Sequence, residues 1–128
     1  MAILTRRNVL VMLGVAGALT IAGRVSGCMQ DRPVPFDRKL WDLGFVDHGH
    51  RCGMAKDLIE RRALIDKSRS QVEAILGPAE NGNAASEMHY PLRREFDNFD
   101  PIAGDDLVLK LDPSSKVAGA EIVKWKRK

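Results

Sequence analysis

The chain has little of what metal centres and redox cofactors need. Its 128 residues include two cysteines and three histidines, and aromatic residues make up 5%. The nearest approach to a metal site is HGHRC at 48–52, which has two imidazoles and a thiol. Only His89 remains elsewhere as a further histidine, which leaves too few nitrogen and sulfur donors for a closed site. We therefore expect no metal and no cofactor.

Acidic residues are absent from positions 1–27, where Arg6, Arg7 and Arg24 are the only charged side chains. The whole chain has 20 basic and 17 acidic residues, so without these three arginines residues 28–128 have 17 of each. The formal net charge of +3 thus belongs to the first 27 residues. The neutral remainder has no basic stripe interleaved with aromatics, and the short tail KWKRK at 124–128 indicates a solvated chain end. We expect no nucleic-acid partner.

Residues 9–23 have no charge and follow a basic pair, as in a secretory signal peptide. A membrane-spanning helix needs about 20 apolar residues, and this run is shorter and rich in glycine and alanine. An export signal is therefore favoured over an uncleaved anchor. The hexamer TRRNVL at 5–10 also resembles a twin-arginine signal through Arg6 and Arg7, which leaves the export route open between the twin-arginine and general secretory systems.

The export signal ends in VSGC at 25–28, which closely resembles the lipobox of bacterial lipoproteins. The lipobox has a branched apolar residue, here Val25, two small residues, here Ser26 and Gly27, and the modified cysteine, here Cys28. In that family the cysteine sulfur receives a diacylglyceryl group, a peptidase cuts before the cysteine, and the new amine is acylated. The resemblance predicts cleavage between Gly27 and Cys28 and lipid attachment at Cys28.

Several acyl chains hold a soluble domain stably on a membrane without spanning it. Met29 follows the cysteine, where aspartate is the common retention signal, so the resemblance favours the periplasmic face of the outer membrane over the inner membrane in a diderm envelope. The alternative is a disulfide with Cys52, the only other cysteine. If Cys28 is a thioether, Cys52 has no partner, and we expect a buried thiol on the apolar stripe of a helix.

Three regions follow: a signal peptide at 1–27, a lipidated tether at 28–46 and a domain at 47–128. Pro33 and Pro35 favour extended chain in the tether. Its end is dense in apolar residues that we expect to pack on the domain: Leu40, Trp41, Leu43, Phe45 and Val46.

Two helices are predicted in the domain, at about 50–64 and within 66–78. Ser68 and Gln71 fit the capping box that begins the second helix, and Gly77 with Pro78 ends it. Three strands follow. The first includes Met88, Tyr90 and Leu92, with Pro91 indicating an edge or bulge.

The other two strands, at 107–112 and 116–126, are predicted to form an antiparallel hairpin. Between strands one and two, residues 93–106 are expected to be a polar connection with solvated turn acids: Asp97, Asp100, Asp105 and Asp106. These acids lack the spacing of an EF-hand calcium loop. The predicted fold is α+β, two helices packed on a three-stranded antiparallel sheet in the order ααβββ.

The motif series MAKDLIERRAL, KSRSQVEAILGPAE, MHYPL and DDLVLKLDPSSKV resembles the small lipoproteins of the outer-membrane assembly group, the BamE (SmpA/OmlA) type. It covers residues 54–123, and its most specific piece is 68–78. For that family the implied activity is non-catalytic binding of barrel-assembly partners and lipid head groups.

We expect a lipid-anchored binding or scaffold module of the cell envelope, with a protein partner and no small-molecule substrate identified. The alternative is an inhibitor or ligand-sequestering periplasmic module on the same scaffold. An enzyme is not expected, because His48, His50 and His89 stand among ordinary polar residues without a grouped nucleophile and base. Exposure of Trp41, Phe45, Phe96 and Phe99 would favour binding.

Overall fold

The computed structural model describes residues 28, 31–44, 50–82, 84 and 86–127. Three helices, α1 (Arg38–Asp42), α2 (His50–Glu60) and α3 (Arg69–Leu76), precede three strands, β1 (Glu87–Asp97), β2 (Asp100–Leu111) and β3 (Val117–Lys126). The strands form one antiparallel sheet in the order β1-β2-β3. The predicted α+β architecture is confirmed, with α1 as an added short helix inside the predicted tether. Within the described ranges, no helix is long and apolar enough to cross a membrane.

Helix α3 has the ends that its sequence specifies. The Ser68 hydroxyl accepts a hydrogen bond from the Gln71 amide at 3.2 Å, and the Gln71 side chain accepts one from the Ser68 amide at 2.8 Å. Two otherwise unpaired backbone donors are thereby satisfied. Gly77 ends the helix with a φ of 88°, a conformation that glycine adopts without steric cost. The predicted capping box is confirmed.

Helix α1 has no counterpart among the predicted helices, and α2 ends earlier than expected. Asp37 begins α1, where its side chain accepts from the amides of Lys39 and Leu40. Trp41 on α1 is fully buried, so the expected packing of this segment on the domain is confirmed at that residue. Helix α2 ends at Glu60 and not near 64, because Arg62 adopts a left-handed φ of 54°.

Strands β1 and β2 are longer than predicted, and the expected connection at 93–106 is wrong. They continue to a two-residue turn at Asn98 and Phe99, with Asp97 opposite Asp100. This stretch is strand and not loop because two of its acids, Asp105 and Asp106, have arginine partners on the neighbouring strand. Pro91 lies in the edge strand β1 beside a register shift, as its sequence position indicated.

Trp41 lies at the centre of the core, where the helices meet the sheet. Its indole Nε1 donates to the Leu76 carbonyl at 2.9 Å, and the Tyr90 hydroxyl donates to the Gly77 carbonyl at 2.8 Å. The Arg38 guanidinium donates to the two preceding carbonyls of α3 at 3.0 Å. The carbonyls at the end of α3 have no partners within their own helix, so side chains of α1 and β1 satisfy them.

The buried phenol of Tyr90 yields a pH-dependent prediction. Burial raises the pKa of Tyr90 to about 12, against an ordinary value of about 10. Between these values the unfolded chain loses the proton and the folded chain keeps it, so the free energy of unfolding falls as pH rises, by about 2 to 3 kcal/mol. Because Tyr90 is the only tyrosine, ultraviolet absorbance of its phenolate measures this pKa directly.

Tyr90→Phe is the matched control. We expect it to lower the free energy of unfolding by about 1 kcal/mol at pH 8, through loss of the bond to Gly77. The additional loss of stability between pH 10 and 12 should be absent from this variant. A native phenol that titrates near pH 10 would contradict the buried hydrogen bond.

Candidate functional site

Cys28 and residues 31–34 contact the domain. Cys28 and Cys52 form a disulfide, and both are buried, with 0% and 1% of their surfaces exposed. The expectation that Cys52 has no partner is therefore wrong for this structure, although its burial on α2 is confirmed. A cysteine sulfur in a disulfide cannot also be a thioether, so the structure shows a form without lipid on Cys28.

Backbone contacts hold the same segment along α2. The Val34 amide donates to the Gly53 carbonyl at 3.0 Å, and the Lys56 ammonium donates to the Asp31 carbonyl at 2.6 Å. Glycine is required at 53, because a Cβ there would lie 2.6 Å from the backbone oxygen of Arg32. The fold thus has a fitted groove for residues 31–34.

Asp105 on β2 completes this groove. Its carboxylate is fully buried, and Oδ2 accepts from Arg93 Nε at 2.5 Å and from the Cys28 backbone N–H at 3.3 Å. We call Cys52, Gly53, Lys56 and Asp105 the N-terminal dock. No described group donates to Oδ1 of Asp105, so the carboxylate is incompletely satisfied.

Two acids of β2, Asp105 and Asp106, are buried because each pairs with an arginine of β1. Desolvation acts to lower the pKa of Arg93, but hydrogen bonds with Asp105 and Glu95 outweigh it and raise that pKa. On the other face of the sheet, Arg94 bonds to Asp106 at 2.5 Å. The expectation that Asp105 and Asp106 are solvated turn acids is wrong, because Asp105 lies opposite Arg93 in the strand register and Asp106 bonds to Arg94.

A second feature is the turn between β1 and β2, residues 96–100, which we call the hairpin tip. Phe99 is 96% exposed and adopts a φ of 75°, and Asn98 before it has a φ of 52°. Asparagine tolerates this left-handed region, but phenylalanine rarely occupies it. Phe96 on the same tip is 50% exposed.

The charges at the hairpin tip are also unfavourable for folding. Asp97 lies directly opposite Asp100, and like charges in that position destabilise a strand pair. Neither acid takes part in an ion pair among the residues the structure describes. The tip therefore combines an exposed aromatic ring, a strained backbone and unbalanced acids.

The remaining predicted site residues that the structure describes do not form a group. Arg6, Arg7, Val25, Ser26 and Gly27 lie outside the described residues, as do Phe45 and His48. Of the aromatics weighed as a patch that the structure describes, Trp41 is buried, and Phe96 and Phe99 are exposed. His89 bonds to Glu87 at 2.8 Å, and no described histidine, cysteine or acid belongs to a cluster that could hold a metal.

Comparisons of the chain with protein-family models, curated proteins and solved structures found no match in any of the three. Membership of the BamE type is therefore not shown. The structure supports the coarser statement, a small α+β fold with three antiparallel strands.

Removing the cation beside Asp105 tests how far the dock depends on this ion pair. We expect Arg93→Gln to lower the free energy of unfolding by about 3 kcal/mol, because it leaves a buried carboxylate without its cation. The double variant Arg93→Gln, Asp105→Asn should recover at least half of that loss. Urea denaturation measures both.

Arg61→Gln is the matched control, because its ion pair with Asp57 lies within one helical turn and Arg61 is exposed. Such exposed pairs contribute little to stability, so Arg61→Gln should change the urea midpoint much less than Arg93→Gln. Equal small losses from Arg61→Gln and Arg93→Gln would contradict the buried pair.

Proposed function

We propose that this protein is an exported, non-catalytic binding module of the cell envelope, which engages a protein partner through the hairpin tip. The observation that carries the proposal is Phe99, a large aromatic side chain that is 96% exposed at the end of the longest hairpin of the fold. Aromatic anchors supply much of the binding energy of protein interfaces when they enter a partner's pocket.

The cost of the tip supports a binding role. A left-handed φ at a bulky residue costs about 1 kcal/mol or more, and the opposed acids add repulsion. Folding gains nothing from an aromatic ring left in water. Sequences that break local rules in this way without a gain in stability do so mostly at functional sites.

Charge at the hairpin tip defines the partner's chemistry. Asp97 and Asp100 flank the exposed ring, so an apolar pocket with a basic rim would be complementary to it. The same acids disfavour contact with anionic lipid head groups. A protein surface is the better partner for the tip, and the resemblance to the BamE type makes the barrel-assembly machinery the first partner to test.

The location proposed is the periplasmic face of the outer membrane, with a lipid anchor at Cys28. The lipobox VSGC and the export signal before it support this location. A disulfide within the domain is consistent with an oxidising compartment outside the cytoplasm. The anchor itself depends on the sequence pattern alone.

The hairpin tip also fits the alternative of an inhibitor, whose tip would enter the cleft of an enzyme. Ligand sequestration has less support. The cavity between α2 and β3 measures about 190 Å³, while sites for small molecules have volumes of about 300 Å³ or more. A larger space of about 510 Å³ lies at the hairpin tip beside Phe96, Asn98 and Phe99, but it is open to solvent and does not enclose a ligand.

Phe99→Gly separates binding from folding. We expect this substitution to raise the free energy of unfolding by about 0.5 to 1 kcal/mol, because glycine relieves the left-handed strain at the turn. The same variant should lose partner binding, because it removes the aromatic anchor. Ser115→Gly is the matched control, since Ser115 has a φ of 64° in the turn between β2 and β3.

Partner capture uses a photo-crosslinking phenylalanine analogue at position 99, with the same analogue at position 115 for comparison. We expect a discrete crosslinked product from position 99, weakened when Asp97 and Asp100 are changed to lysine. Phe99→Gly should then reduce the affinity for the captured protein by tenfold or more, as for an aromatic hot spot. Unchanged affinity in Phe99→Gly, or equal capture from both positions, would contradict a role for the tip.

A further inference from the structure

We propose that the N-terminal dock and lipid maturation compete for Cys28. The protein would then exist in two forms: a closed form with the Cys28–Cys52 disulfide, and an open form with lipid on Cys28 and a free thiol at Cys52. This inference rests on the lipid anchor of the proposed function. It goes beyond that function because lipid could attach to Cys28 only while Cys28 lies outside the dock.

The dock holds the atoms of Cys28 that maturation must reach. The sulfur is bonded to Cys52, so it has no thiol for transfer of a diacylglyceryl group. The backbone nitrogen, which donates to Asp105 at 3.3 Å, belongs to the peptide bond that links Gly27 and Cys28. That bond is the predicted cleavage site, and the same nitrogen is the amine that would then be acylated. Because Cys28 has no exposed surface, enzymes cannot act on it in the closed form.

The two reactions consume the same thiol. Closure joins the sulfurs of Cys28 and Cys52, and two electrons and two protons pass to a disulfide-bearing oxidant of the envelope. Lipid transfer instead forms a bond between Cys28 Sγ and a glyceryl carbon of a glycerophospholipid. The carbon–oxygen bond to the head-group phosphate breaks, and the phosphate leaves with the thiol proton. Each reaction prevents the other, and only lipid transfer leaves the Cys52 thiol free.

The groove beside Cys52 makes closure a specific event. Hydrogen bonds from Val34 to Gly53 and from Lys56 to Asp31 hold the chain along α2 and direct Cys28 towards Cys52. The absence of a side chain at Gly53 permits this approach. Exchange between thiols and disulfides depends on access and orientation, so a fitted groove favours closure once the domain has folded. Lipid transfer must therefore act before the segment enters the dock.

The test uses the full chain with its own signal, expressed in a diderm bacterium with labelled palmitate. Wild-type protein should divide between a labelled, detergent-partitioning pool and an unlabelled, water-soluble pool. Without reductant, a maleimide polymer should shift the labelled pool once, through Cys52, and leave the soluble pool unshifted. Cys52→Ala should lower the unlabelled share severalfold, because closure is abolished. Cys28→Ala should prevent labelling.

Gly53→Ala tests the groove without touching either cysteine. Its Cβ would lie 2.6 Å from the Arg32 oxygen, so we expect the labelled share to rise as it does in Cys52→Ala. Gly119→Ala makes the same chemical change on β3, where a Cβ meets nothing within 4 Å, and should match wild type.

The outcomes distinguish this inference from the anchor. Labelling of wild type with no change in Cys52→Ala would overturn the competition and leave the anchor intact. A labelled pool whose Cys52 reacts only after denaturation would show that the dock stays covered, and would also overturn the competition. Absence of label from every variant would overturn the anchor, and the competition with it.

Discussion

The fold depends on how the last carbonyls of α3 are satisfied. Helix ends leave four carbonyls without partners, and α3 is too short to be stable without tertiary packing. Trp41 and Tyr90 donate to two of these carbonyls from inside the core, so α1, α3 and the sheet meet at one point. Arg51 lies over the Trp41 ring at 4.3 Å and donates to the Pro91 carbonyl, which links α2 to the same centre. The helix pair is thereby fixed on the sheet.

Local signals explain the parts of the fold that the sequence predicted. The capping box at Ser68 and the glycine at 77 depend on residues within one or two helical turns, and alternating leucines define the second half of β2. The length of the first hairpin was not predictable in this way. Arg93 and Asp105 are polar and far apart in sequence, and only the strand register brings them together. The charged run at 93–106 therefore resembles a loop in the sequence, because the pairing of its charges across the two strands depends on the fold.

The N-terminal dock and the hairpin tip likewise combine features that the local sequence indicates with features that depend on the folded backbone. The lipobox pattern predicts lipid on Cys28, with a disulfide as the alternative, but it does not indicate a groove along α2. That groove needs a glycine at position 53 and the buried Asp105, two residues that are far apart in the sequence. At the hairpin tip, the aromatics were candidates for exposure from the sequence, whereas the left-handed backbone of Phe99 follows from the turn length.

In the proposed competition these features meet at one atom, the sulfur of Cys28, which would form either a disulfide or a thioether. The most direct test is mass spectrometry of non-reduced protein isolated from the envelope, with peptides mapped around Cys28 and Cys52. The account predicts two populations: an acylated chain that begins at Cys28 with Cys52 as a free thiol, and a chain without lipid whose Cys28 and Cys52 peptides are linked. A single population, or a chain with both lipid at Cys28 and the linked peptides, would contradict it.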